Sequence, residues 1–354
     1  MSNWKKNVKF GATIFASTLV LAACGDSAVP GPEDTASGTE GESSGPQVEE
    51  GDTSTLMVGM TNAPDSFNPF YAPGVAGKWV QRFMYDSLLV MPEADQWDSA
   101  LASSFETEDN QTFTIEIDPE ANWTDGEPVT ADDVAFTLNA IADPGVETTL
   151  GTSSTLIEGT DDSGKLAEGA DSLSGVEVTG DKSLTITTKQ PVDPALMKEF
   201  IGFNVLIAPE HVFGEIEPSE ISNSEAATQP SVFSGPYTFA EYDNGNYIHL
   251  EANPDYYRGA PKINTIYGKV MNGTTLVTEL QAGNLHMTAG GGIGMIPTQD
   301  VSILEETEGI VVQENPSFNG QYMIINNERF PDPEVRKALI HAIDRQLPVD
   351  NLLE

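Results

Sequence analysis

The chain has 354 residues, 39% of them hydrophobic and one of them cysteine, and carries 16 Lys and Arg against 55 Asp and Glu, a net charge of −39 at pH 7. A single cysteine rules out an intramolecular disulfide, and so acidic a surface argues against nucleic acid or a peripheral membrane face as partner. After a leader, the length accommodates about two domains.

The N-terminus reads as an address. Lys5, Lys6 and Lys9 precede an uncharged run over residues 10–23, the length of a signal-peptide core and too short to span a bilayer. The run closes on Leu21-Ala22-Ala23-Cys24-Gly25, which resembles the lipobox of bacterial lipoproteins. That resemblance implies a signal peptide over 1–23 and a lipid on Cys24. Cleavage there would remove three lysines and take the net charge to −42. In residues 24–53, 16 positions are Gly, Pro, Ser or Thr and eight are acidic, so the segment reads as a disordered acidic tether. Its Gly41-Glu42-Ser43-Ser44-Gly45 has the letters of a nucleophile elbow but lacks the strand-turn-helix setting that motif needs.

Ordered sequence begins with an apolar strand at 56–60. A helix is expected over 78–90, from the spacing of Trp79, Phe83 and Leu88-Leu89. Phe113, Ile115 and Ile117 alternate with polar residues, as in a half-buried strand. Asp125-Gly126 marks a turn, and Thr130-Ala131-Asp132-Asp133 is a capping-box pattern that opens a helix over 134–142. Strands are expected around Leu184 and Ile186, at 237–242, 247–252, 285–288 and 321–326, and a helix over 275–282. Val335, Ala338, Leu339, Ala342 and Ile343 follow the i, i+3, i+4, i+7, i+8 spacing of an amphipathic helix. Interleaved strands and helices indicate an α/β or α+β protein.

No catalytic or metal centre emerges. His211, His249, His286 and His341 are scattered and read as surface or core residues, and Asp161-Asp162-Ser163-Gly164 reads as a solvated loop because it lacks an EF-hand's alternating ligands. Gly290-Gly291-Gly292-Ile293-Gly294 lacks the ending of a phosphate loop; its bare backbone suits close approach of a ligand or a strand. No nucleophile stands beside a base, so neither an enzyme nor a cofactor is expected.

Six stretches, in order, resemble the oligopeptide-binding proteins of ABC importers, the extracellular solute-binding family 5. They are Phe67-Asn68-Pro69; Trp123-Thr124-Asp125-Gly126-Glu127-Pro128-Val129-Thr130-Ala131-Asp132-Asp133-Val134; Ser234-Gly235-Pro236-Tyr237; Asn253-Pro254-Asp255-Tyr256-Tyr257-Arg258; Leu280-Gln281-Ala282-Gly283-Asn284-Leu285; and Val335-Arg336-Lys337-Ala338-Leu339 with Ala342-Ile343-Asp344-Arg345.

The resemblance implies an α/β, two-lobe fold of the periplasmic-binding-protein kind, with an extra subdomain in its first lobe. On that pattern the first lobe takes 54–95 and 175–271, the subdomain 96–174, and the second lobe starts at 272. Asn272-Gly273 would serve as the flexible crossover. Family members run on well past this length, so a second lobe left incomplete at Glu354 is expected, and with it weak or no peptide binding. The implied function is capture of oligopeptides for an ABC transporter permease by a lipoprotein on the outer face of the cytoplasmic membrane, held there through the lipid alone. The alternatives are another solute of the same family (a signalling peptide, nickel, haem or a sugar) and a surface-anchored hydrolase. By the same resemblance Pro73, Gly74 and Val75 offer backbone to a peptide in strand-like fashion. Asn62, Thr288, Gly290, Gly291, Gly292, Asn319 and Tyr322 face the cleft, a plain structural role being the alternative for each. The aromatic residue usual near Leu150 is missing.

Overall fold

In a computed structural model of the chain, residues 54–93, 96–313 and 323–347 are described. Residues 1–53, where a leader and tether with Cys24 are expected, and the positions of Asn319 and Tyr322 lie outside them.

β1 (Thr55–Met60) is the central strand, and its last four residues are buried. Burial on both faces calls for apolar side chains at successive positions, which Leu-Met-Val-Gly-Met supplies. Val58 and Met60 enter the main core on one face, while Met57 joins Leu276 and Leu285 on the other. The five-stranded sheet runs β11-β1-β10-β9-β8, with β8 (Tyr237–Asp243), β9 (Tyr247–Ala252), β10 (Thr265–Val270) and β11 (Met287–Thr288). β1 is parallel to both neighbours, and the other two pairings are antiparallel. The helix α1 (Val75–Met84) buries Ala76, Val80 and Met84 in the core that Val58 and Met60 share.

A short ribbon, β2 (Leu89–Val90) with β3 (Asp98–Ser99), leads to an antiparallel four-stranded sheet. Its order is β4-β5-β7-β6, with β4 (Ala102–Thr107), β5 (Thr112–Ile117), β6 (Val176–Gly180) and β7 (Ser183–Thr187). Phe113 and Ile115 pair with Ile186 and Leu184, so the alternating stripe of each strand falls on one buried face. The helix α2 (Ala131–Ala142) covers that face with Val134, Leu138 and Ile141. Short helices α3 (Gly151–Ser154), α4 (Pro194–Met197), α5 (Glu210–Phe213) and α6 (Glu225–Thr228) lie in the connections, and α4 runs on into a wider π turn over Lys198–Phe203. α7 (Gly273–Gln281), α8 (Thr298–Glu305) and α9 (Pro333–His341) follow.

Several expectations change. The helix expected over 78–90 ends at Met84. Beyond it the Asp86 carbonyl accepts from Ile207 N, Ser87 bridges Leu206, and the Ser87 hydroxyl bonds the Leu89 carbonyl. These contacts straighten the backbone at residues that already favour local side-chain bonding over a helix. Strands β6 and β7, expected in the first lobe, hydrogen-bond into the four-stranded sheet, so a boundary at 174/175 does not follow a sheet edge. Asn272, expected at a flexible crossover, caps α7 by accepting from Thr275 N at 2.9 Å, and the chain then returns to pair β11 with β1. Met323 to Asn326, expected in a strand, pair with no strand among the described residues. The amphipathic stripe of α9 is present, but Val335, Leu339 and Ile343 are 44%, 37% and 43% exposed, since no described element packs on it.

Candidate ligand-binding cleft

The parallel strands β1 and β11 end side by side, and ligands of open α/β sheets bind where such strands end. Asn62 follows β1 directly. The loop after β11 is tied across to it: Ala289 N donates to the Gly59 carbonyl at 2.8 Å, and both the amide and the hydroxyl of Thr61 donate to the Ile293 carbonyl, the hydroxyl at 2.9 Å. That hydroxyl also lies 3.1 Å from Asn62 Oδ1. Gly291 and Gly292 have φ of 68° and 85°, the left-handed region that side chains rarely enter. A Cβ on Gly291 would lie 3.4 Å from Val75 Cγ1, so the glycine loop meets the start of α1. There Gly74 passes so near the Asp65 carboxylate that a Cβ would sit 2.2 Å from its oxygen. The edge is open: Asn62, Pro73, Val75 and Gly290 to Gly292 are exposed, while Thr288 is half-buried opposite Gly59. The structure therefore brings together Asn62, Thr288, the glycine loop and the 73–75 turn. It offers mainly backbone, with a few small polar side chains.

Beside this edge lies a cavity of about 250 Å³ that sequence reasoning missed. Lys78, Gln81 and Arg82 of α1 form one wall, Thr149 to Ser153 another, and Phe200, Asn204 and Leu206 the third. Gln81 is fixed through Nε2, which donates to the Asn68 carbonyl at 2.8 Å and the Ser66 carbonyl at 3.3 Å. Lys78 and Arg82, four residues apart on α1, were the available signal in a chain so poor in cations.

Four of the motifs carrying the family resemblance lie elsewhere and anchor side chains in the interior, whereas those at 280–285 and 335–345 are largely exposed. Trp123 is fully buried and its Nε1 donates to Asp133 Oδ2 at 3.2 Å; the same oxygen accepts from Thr130 N at 2.8 Å, completing the capping box, while Oδ1 accepts from Glu210 N at 2.8 Å. Asp125 pairs with His211 at 2.8 Å. Phe67 packs on Phe239 and Tyr242, and Asn68 Oδ1 accepts from Phe70 N. The motifs at 234–237 and 253–258 meet at Asp86, a carboxylate 6% exposed just beyond α1. Tyr256 and Tyr257 donate to its Oδ2 at 2.9 and 3.1 Å, and its own amide donates to Ser234 Oγ at 3.0 Å. Burial pushes the Asp86 carboxyl up to about 6, against the opposing pull of the two hydroxyls and Arg258. Burial and the neighbouring carboxylate push both tyrosines up as well.

The other histidines are also accounted for structurally: His249 stacks on Tyr267 at 4.4 Å, His286 Nδ1 accepts from Met57 N, and His341 closes α9. Among the described residues, no group of three His, Cys, Asp or Glu is placed to hold a metal, and no helix is long and apolar enough to cross a membrane.

Residues 96–354 match the family model of bacterial extracellular solute-binding proteins, family 5. The oligopeptide-binding protein AppA of Bacillus subtilis is 27% identical over 347 residues, which cover 97% of this chain and 59% of AppA. The solved structure of AppA in complex with a nonapeptide superposes with a TM-score of 0.72 at 26% identity, over 84% of this chain and 55% of that one. NikZ of Campylobacter jejuni, solved in complex with Ni(L-His), gives a TM-score of 0.67 at 22% identity over 85% of this chain and 56% of that one, a likeness of fold alone. The chain thus spans under three-fifths of the length of these relatives. With the family model covering most of its sequence, and an α/β fold shared with two-lobe binding proteins, the chain belongs to the bacterial extracellular solute-binding proteins of family 5.

Proposed function

We propose that the protein captures short peptides at the edge where β1 and β11 end and delivers them to an ABC transporter permease. The observation that carries this reading is the open main chain of Pro73 to Val75 facing the glycine loop 290–292. Main-chain pairing gives affinity with little regard for side chains, and the relative from Bacillus subtilis was solved with a nonapeptide. We further propose that the five-stranded sheet with α1 forms the first lobe and the four-stranded sheet with α2 its subdomain. Cys24, at the close of the leader, carries a lipid that holds the protein on the outer face of the cytoplasmic membrane.

Titration calorimetry against a mixed library of short peptides tests the capture. Saturable one-to-one binding, weakened by Gly291→Val, is expected in place of the weak or absent binding anticipated from sequence alone, because the β1–β11 edge is assembled within this chain; heat no greater than dilution across the library would refute it. A palmitate analogue fed to expressing cells should label the wild type and spare Cys24→Ala, and equal labelling of both would remove the anchor.

A further inference from the structure

The cavity beside α1 has a charge that contradicts the rest of the molecule. Lys78 and Arg82 both line it, and no carboxylate does. Neither takes part in an ion pair among the described residues, where the only pairs join His211 to Asp125, His249 to Glu251 and Lys337 to Glu334. Two other lysines of the chain are committed to its backbone. Lys165 Nζ donates to the carbonyls of Ile141, Asp143 and Val146, and Lys182 Nζ to those of Asp118, Ala121 and Val129. Lys78 has no such employment. Arg82 is held in position, its guanidinium 3.9 Å from the centre of the Phe203 ring and donating to the Phe203 carbonyl at 3.3 Å, which spares most of its donors for the cavity.

The remaining walls narrow the chemistry. The Ser153 hydroxyl, on a residue only 7% exposed, and the Asn204 side-chain amide find no protein partner among the described residues, although the Asn204 backbone N–H donates to the Glu199 carbonyl. Leu150, Phe200 and Leu206 supply apolar wall. At about 250 Å³ the space falls below the ~300–1,000 Å³ of a site that encloses a whole small ligand, and suits a single side chain. Val75, which meets the glycine loop, stands three residues before Lys78 on the same helix, so the cavity lies one helical turn along α1 from that point.

We propose that this cavity is a side pocket for a carboxylate on a short apolar stem, the acidic side chain of a captured peptide. The inference rests on the peptide-capture reading above and adds to it a preference for acidic peptides. Two cations, one of them a pre-oriented guanidinium, give charge-assisted hydrogen bonds to a carboxylate. They also offset locally the repulsion that so acidic a protein exerts on an anionic ligand.

The test compares C-terminally amidated Ala-Glu-Ala-Ala and Ala-Gln-Ala-Ala by calorimetry, with glutarate as a probe of the pocket alone, followed on the 15N-labelled arginine side chains. Amidation removes the terminal carboxylate, so any preference belongs to the side chain. The wild type should bind the Glu peptide at least ~10-fold more tightly, about 1.4 kcal/mol. Lys78→Gln and Arg82→Gln should each abolish that ratio while changing affinity for the Gln peptide less than twofold, and Arg82→Lys should keep part of it. Circular dichroism melts establish that the variants are folded. Equal affinity of the wild type for the two peptides overturns the proposal. If neither peptide binds but glutarate shifts a guanidinium signal saturably and Lys78→Gln removes the shift, the carboxylate pocket stands and the peptide reading falls. Absence of both responses overturns the pocket.

Discussion

The interior built by Trp123, Asp133 and Asp86 and the open edge built by Asn62, Val75 and Gly290 to Gly292 obey opposite rules. In the first, each functional group has a named partner: one Asp133 oxygen alone gathers an indole and a backbone amide. In the second, the groups are exposed and bonded mostly to near neighbours, as where the Thr61 hydroxyl donates to Asn62 Oδ1 and Lys78 N to the Gly74 carbonyl, and most side chains are small or missing. The difference teaches where the longest of the family motifs, at 123–134, resides. Long, dense motifs arise where many side chains must satisfy one another out of water, since an unmatched polar group there costs about 1–3 kcal/mol. A surface that pairs with a ligand's main chain leaves only a few glycines behind.

The contrast can be broken at its strongest point by Trp123→Ala. Removal of a fully buried indole should cost about 3–5 kcal/mol, read as a lower urea midpoint, with peptide affinity retained by whatever fraction stays folded. A loss below ~1 kcal/mol would show that the signature is not holding the interior together.

The next effect concerns Asp86 and depends on pH. Its carboxyl, pushed up to about 6 in the folded protein from an ordinary value of 3.8, keeps in the native state a proton that the unfolded chain has lost. Stability from this group is therefore complete below about pH 4 and falls as pH rises through 6, by on the order of 3 kcal/mol. Asp86→Asn should flatten that portion of the urea-midpoint profile between pH 4 and 7. An unchanged profile would mean that Tyr256, Tyr257 and Arg258 hold the carboxylate ionised throughout.

The smallest effect on stability belongs to the edge. Gly291→Ala places a side chain at a φ of 68°, for which about 1 kcal/mol of destabilisation is expected. The added Cβ meets Val75 Cγ1, so peptide affinity should fall while the melting profile shifts little. The reverse pattern would make the glycine loop a folding element and move the capture site elsewhere.

Much of the framework could be read from local pattern. The alternation of Phe113, Ile115 and Ile117 became the buried face of β5, and Thr130 with Asp133 capped α2 as their spacing required. What could not be read was settled by distant partners. α1 ends at Met84 because Ile207, more than a hundred residues later, takes up the Asp86 carbonyl. β6 and β7 belong with β5 because Leu184 and Ile186 find their apolar partners there. At the edge, the glycine loop could be read from its bare backbone as a place of close approach, the 73–75 turn only through a family resemblance, and their contact became visible in the fold. The cavity escaped entirely, since its three walls come from segments far apart in the chain, at 78–82, 149–153 and 200–206, and none is unusual by itself.

The six carbonyls held by Lys165 and Lys182 bear on how this acidic protein tolerates salt. Ion pairs between exposed side chains fade as ionic strength rises, because ions gather within a Debye length that shrinks to ~3 Å at 1 M. The two ammonium groups instead touch neutral oxygens at 2.6 to 3.4 Å on half-buried side chains, leaving little room for an ion to intervene. One of them gathers carbonyls at the end of α2, and the other joins the turn after β5 to Val129, the residue before the capping box. Brine that weakens the repulsion among surplus carboxylates would therefore leave these two cross-links in place.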